Sequence, residues 1–326
     1  MGRNCDRQGR RRGNRHGMAR RELMTIGLAS LATACVPPSE IGSPYSSGTA
    51  RPLLRVPRLA CDSHIHILEP RFPATAGWKG EPVGNASVAA YRRFQARIGT
   101  ERVVVVTPST YGADNSATLD ALDQFGEKAR GVIVIDCDAP LADIASMRAR
   151  GVRGIRVNFV SPQPWGRSDE RRLVATAQIA ADLGWHIQIY AKADQIAAME
   201  PVIAKLPVAT VIDHLGSVDP VGGPGSLGHA AILRLLASGK TWMKLSGAYI
   251  SSNAGPPYGD LQAIAGSYVA AAPERMLWGS DWPHRGQSRR LPDDAALLDL
   301  LVQWAPDRET RRRILVDNPA ELYGFA

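Results

Sequence analysis

The chain has 326 residues, 44% of them apolar and 21% charged, with 31 Gly and 23 Pro, which excludes a disordered or collagen-like chain. Its formal charge of +8 is concentrated in residues 1–34, where eight Arg face two acids, and the remainder is close to balanced. With no long basic run among aromatics, a nucleic-acid footprint is not supported.

The first feature in chain order is Arg20-Arg21-Glu22-Leu23-Met24, followed by the uncharged apolar stretch 25–34. It resembles a twin-arginine signal peptide over residues 1–35, which implies the twin-arginine export machinery as a partner and a periplasmic destination. Met18 opens a compact basic region, so residues 1–17 read as an over-long start. Ala32-Thr33-Ala34 fits a cleavage site, and Cys35 directly after it offers lipidation as the alternative. The plainer reading is a basic tail with a chance apolar patch. That patch, about 11 residues, falls short of the roughly 20 a spanning helix needs, so no transmembrane segment is predicted. In the body only Cys61 and Cys137 remain, without metal-ligand spacing, and both read as core residues.

A Pro/Ser/Gly-rich linker occupies 36–57. Short apolar runs then recur at 59–67, 102–107, 132–136, 154–158, 185–190, 208–214, 241–246 and 275–281. Amphipathic segments follow at 88–98, 118–128, 143–150, 171–183, 195–206, 229–238, 261–272 and 295–304. Strands alternating with helices predict an α/β fold, a single (β/α)8 TIM barrel over 58–326. No strand leads into GxGxxG, and Gly222-Gly223-Pro224-Gly225 reads as a loop.

In such a barrel chemistry gathers at the C-terminal ends of the strands. The first run holds Asp62-Ser63-His64-Ile65-His66, whose alternation puts His64 and His66 on one inward face, where two imidazoles could share a metal. The sixth ends in Asp213-His214-Leu215-Gly216. The eighth ends in Gly279-Ser280-Asp281-Trp282-Pro283-His284, and Asp281 could take a proton from water or bind a metal.

These three motifs resemble the amidohydrolase-related superfamily. Residues 114–120, 153–159, 185–190 and 318–323 extend the resemblance to its lactonase branch, which includes 2-pyrone-4,6-dicarboxylate hydrolase and 4-sulfomuconolactone hydrolase. The resemblance implies hydrolysis of an anionic lactone, carboxylated or sulfonated, with Asp281 as the base activating water. His64, His66 and His214 then bind a metal or polarise the carbonyl directly. One divalent ion, Zn or Mn, held by these histidines and Asp281 is one expectation, and a metal-independent site is the other.

Arg156 matches an arginine that receives a substrate carboxylate, and Tyr190 matches a site tyrosine. A second arginine expected near 160–162 and a third near 249–251 are missing, which weakens recognition of a dicarboxylate. Arg167, His284 and Trp78 complete the expected substrate contacts. His186 and Gln188 are expected as interior hydrogen-bonders, and His229 at the surface. Two rival readings are a decarboxylase or hydratase of the same superfamily and a catalytically silent exported binding protein.

Overall fold

The computed structural model describes residues 42–161, 163–287 and 289–326. The predicted signal, residues 1–35, lies outside them, as does the start of the predicted linker. The described residues fall in one compact unit, Glu40–Ala326.

Eight parallel strands follow one another around a sheet in chain order. They are β1 (Cys61–Ile65), β2 (Arg102–Val106), β3 (Ala129–Ile133), β4 (Val152–Asn158), β5 (His186–Tyr190), β6 (Thr210–Ile212), β7 (Thr241–Leu245) and β8 (Met276–Trp278). The helices between them are α1 (Val88–Ile98), α2 (Ser116–Phe125), α3 (Leu141–Ser146), α4 (Glu170–Asp182), α5 (Ala193–Ile203), α6 (Leu227–Ala237), the short α7 (Ala248–Ser251) and α8 (Gln262–Ala271). Helix α9 (Asp294–Trp304) follows β8. This is the expected TIM barrel.

The period-two pattern of each strand explains the layering. One side of the strands supplies Val104, Val106, Val132, Val211, Trp242 and Leu277 to an inner cluster completed by the C-terminal Tyr323 and Phe325. The alternate residues, such as Val103, Val105, Ile155, Ile187 and Met243, pack outward among the helices. Ser87, Asp169, Ser226 and Asp293 start α1, α4, α6 and α9 by accepting backbone N–H bonds.

Several element ends differ from the sequence pattern by a few residues, and two departures shape the barrel. Strand β3 begins at Ala129 rather than 132, because α2 ends at Phe125 and a tight turn at Gly126–Lys128 delivers the chain early. Arg130 sits within the strand yet reaches out of the barrel bottom to the carbonyls of Tyr323 and Gly324, at 3.1 and 2.7 Å. In β1 the register shifts between Asp62 and Ile65. That irregularity lets Cys61 belong to the inner cluster and Ile65 to the outer one, although simple alternation would put both on one face.

The ring closes between β8 and β1 through a parallel bridge, Ile65 to Trp282, rather than a full ladder. The Asp281 N–H donates to the His64 carbonyl at 2.9 Å, and the His66 N–H to that of Trp282 at 2.8 Å. Asp62 clamps the seam, accepting from the Ser280 hydroxyl (2.6 Å), the Ser280 N–H (2.9 Å) and the Tyr91 hydroxyl (3.1 Å). Burial raises its carboxyl to about 6 despite the Ser280 bonds.

Residues 42–57 form neither helix nor strand. They lie along the barrel, where Asp299 accepts from the N–H groups of Leu53 and Leu54 at 3.0 and 2.8 Å, and Pro44 accepts from the Trp282 indole at 2.9 Å. Among the described residues, no helix is long and apolar enough to cross a membrane.

Candidate active site

Four inward-facing groups converge at the C-terminal mouth. His64 and His66 bring their Nε2 atoms within 3.4 Å of each other. Asp281 Oδ1 lies 3.6 Å from His64 Nε2, 3.5 Å from His66 Nε2 and 3.9 Å from His214 Nε2. The other oxygen, Oδ2, accepts a 2.6 Å bond from the Tyr249 hydroxyl. Asp281 occupies the left-handed region at φ 63°, a conformation unusual for a non-glycine residue and held here by its bonds to the neighbouring strand.

The histidines are buried, and burial holds their basicity below the ordinary range, with His66 lowered to about 4. Burial works against the Asp281 carboxylate, but His214, His64, His66 and Tyr249 outweigh it and bring its pKa down to about 2.

Second partners set the tautomers. His66 Nδ1 meets the Val106 carbonyl at 2.7 Å, so it carries the proton and leaves Nε2 with its lone pair. His214 Nδ1 meets the Ser246 hydroxyl at 2.9 Å. His64 Nδ1 lies between Asp213 Oδ1 at 3.3 Å and the Lys244 ammonium at 3.2 Å. A proton on Nδ1, shared with Asp213, leaves Nε2 free as a ligand. A bond donated by Lys244 puts the proton on Nε2 and makes it a donor to the mouth.

Four polar residues beneath the histidines form a hydrogen-bonded layer in which two cations face one carboxylate. Asp213 accepts from Arg156 Nε at 3.3 Å and from Gln188 at 3.0 Å, and Lys244 stands 3.5 Å away, donating to Gln188 at 2.7 Å. Burial lowers Lys244 to about 8, and Lys244, His64 and Arg156 overcome the burial of Asp213 to hold its carboxyl well below the usual range. Asp213 and Lys244 both carry charge where no solvent reaches.

The group His64, His214 and Asp281 could hold a metal ion. A tetrahedral zinc with bonds near 2.05 Å needs ligand atoms about 3.4 Å apart. The His64, His66 and Asp281 spacings of 3.4 to 3.6 Å meet that, and His214, 3.9 Å from Asp281, groups with His64 and Asp281 but not with His66. The residues present fit one divalent ion.

Above the cluster, Trp78, Ser109, Arg156, Asn158, Ser161, Tyr190, His214 and Arg285 line a cavity of about 150 Å³ with Asp281 and His66 at its floor. Arg156 packs over the Tyr190 ring at 5.3 Å, and Tyr190 meets His214 edge-on at 5.1 Å. Trp78 reaches the mouth as expected, fastened by its indole N–H to the Glu81 carbonyl at 2.8 Å.

Two expected substrate contacts are placed elsewhere. Arg167 is exposed and does not line the cavity, because the chain folds back at the Gln163–Gly166 bridge and turns it outward. The second arginine of the mouth is Arg285, tied to the carbonyls of Glu81 and Pro82 at 2.7 Å each. His284 is sealed beneath the mouth with both ring nitrogens engaged by protein groups.

Further from the site, His186 is interior, its ring over Gly154 and edge-on to Tyr323, but it packs as a ring rather than as the hydrogen-bonder expected. His229 is buried and stacked on Tyr268, not at the surface.

Sequence reasoning missed Lys244, Asp213, Tyr249, Ser246 and Arg285. Lys244 had a signal, since a lone lysine at an inward position of the apolar run Thr241-Trp242-Met243-Lys244-Leu245 must find a buried counter-charge. Asp213 adjoins His214 in a motif already singled out. Tyr249 stands where the resemblance leads one to expect an arginine, a signal that marked the position but not its role, and Arg285 had none, because loop geometry alone brings it in.

The family model described as amidohydrolase matches residues 61–325. A 4-sulfomuconolactone hydrolase of Rhizobium radiobacter is 34% identical over 82% of this chain and 91% of its own. A 2-pyrone-4,6-dicarboxylate hydrolase of Comamonas testosteroni is 34% identical over 86% and 94%. A D-galactarolactone isomerase of Agrobacterium fabrum is 33% identical over 85% and 94%. A crystal structure of an Agrobacterium tumefaciens protein in its apo form superposes with a TM-score of 0.75 at 31% identity, covering 83% of this chain and 97% of that one.

Proposed function

The chain belongs to the amidohydrolase family, and from that premise we propose that it opens an anionic lactone ring by hydrolysis, with Asp281 as the general base. The observation that carries the reading is the placement of Asp281. One oxygen faces three imidazole nitrogens at 3.5 to 3.9 Å beneath an arginine-bearing cavity, and the other is held by Tyr249.

Ring opening develops negative charge on the carbonyl oxygen while water loses a proton. Asp281 takes that proton and returns it to the departing ring oxygen, so no serine or cysteine nucleophile is needed. The imidazole cluster stabilises the oxyanion. A divalent ion, zinc or manganese, held by His64, His66, His214 and Asp281 would supply Lewis-acid polarisation of the same carbonyl. With His64 protonated on Nε2, the imidazole itself donates there. Arg156 receives a carboxylate or sulfonate of the substrate, with Arg285, Ser109 and Ser161 around it.

The test is proton release by the purified chain on a panel of neutral, monoanionic, dicarboxylated and sulfonated lactones, with and without added zinc or manganese. Asp281→Asn is expected to lower kcat by about 10²- to 10⁴-fold, the usual contribution of a positioned base. Lactone consumption without proton release would mean ring transposition, the chemistry named for the isomerase relative. No turnover of any lactone would refute the reading.

We also propose that residues 1–35 direct the chain through the twin-arginine machinery to the periplasm, soluble or lipid-anchored at Cys35. Arg20-Arg21 and the apolar stretch behind it support this.

A further inference from the structure

A hydrogen-bonded chain runs behind the proposed base. Tyr249, on α7, donates to Asp281 Oδ2 at 2.6 Å. Its oxygen lies 3.0 Å from His284 Nδ1, and His284 Nε2 lies 2.8 Å from Asp294 Oδ2, in the first turn of α9. His284 and Asp294 are 1% and 0% exposed. Tyr249 stands in the loop where resemblance to the lactonase branch leads one to expect a third arginine.

The phenol has a single proton, and the 2.6 Å bond places it toward Asp281. His284 Nδ1 meets the same hydroxyl oxygen, and Asp294 holds the far side of that ring through Nε2.

We infer that Tyr249, His284 and Asp294 are positioning residues for Asp281, because Asp294 fixes the His284 ring, that ring fixes the Tyr249 hydroxyl, and the bond from Tyr249 to Oδ2 turns Oδ1 toward the imidazole cluster. The inference rests on the reading of Asp281 as the base. The relay passes no proton to the reaction. Water's proton goes to Oδ1 and on to the ring oxygen, while the Tyr249 bond keeps the carboxyl from rotating between the two steps. A displacement near 1 Å at a reacting group costs on the order of 100-fold in rate.

The full chain is assayed with whichever lactone of the panel it opens. Tyr249→Phe, which keeps the ring packed edge-on to His284 at 5.3 Å, is expected to lower kcat about 10- to 100-fold with KM within about twofold. His284→Gln lowers kcat comparably. Adding it to Tyr249→Phe costs less than about twofold more, because the route to Asp281 is already cut. Wild-type kcat in Tyr249→Phe while Asp281→Asn is inactive overturns the inference and leaves the base intact. An active Asp281→Asn overturns the base, and the inference with it.

Discussion

Asp213→Asn removes one charge from a place where its partners have no water to turn to. Lys244 Nζ and Arg156 Nε lie 3.5 and 3.3 Å from the carboxylate, both buried. Leaving a buried ion without its partner costs about 3 to 5 kcal/mol. Lys244 has a partial escape. Its pKa is already down to about 8, so shedding its proton at pH 7 costs only on the order of 1 kcal/mol. Without Asp213 its pKa falls further and the neutral amine takes over. The sign follows from linkage. Where the folded pKa of a lysine lies below its unfolded value, the unfolded chain binds more protons and stability rises with pH. In the wild type that rise starts near pH 8, and in the variant it starts lower, so the two stabilities converge as pH climbs. The expected loss is about 3 kcal/mol at pH 6 and clearly smaller at pH 9. Urea unfolding at both pH values, with midpoint and slope fitted together, measures it. Lys244→Met in the same chain is expected to recover part of the loss, Arg156 remaining unpaired. A loss that does not change with pH, or one below about 1 kcal/mol at pH 6, would refute this account of the buried charges.

His186 is lowered to about 3 by burial, so its stability contribution is complete above its unfolded pKa of about 6.5 and is lost as pH falls toward 3, at about 1.4 kcal/mol per unit. His186→Phe keeps a ring over Gly154 and against Tyr323 and is expected to flatten the acid side of a thermal-stability profile between pH 6.5 and 4. An acid slope identical to wild type would contradict it. For export, replacing Arg20 and Arg21 by Lys is expected to retain the chain in the cytoplasm, as seen by fractionation and blotting. Periplasmic recovery equal to wild type would count against the twin-arginine reading.

The barrel was legible in the chain because its signals are local. Short apolar runs separated by amphipathic helical segments recur eight times, and each run needs only its own alternation to have an inside and an outside. His64, His66, His214 and Asp281 could be found for the same reason, each lying at the end of such a run. The proximity of β8 to β1 follows from the closure of any barrel.

The tertiary structure decided what depends on contacts between distant segments. Lys244 and Asp213 lie on different strands, and their pairing across the interior sets how the chain carries charge under the histidines. Tyr249, His284 and Asp294 come from three separate stretches and form a chain only once α7 and α9 close over the seam. Arg285 reaches the mouth, and Arg167 leaves it, through loops whose course no periodicity encodes. Alternation along a strand states which way a side chain points. Which group it meets there, and with which proton between them, depends on three-dimensional packing.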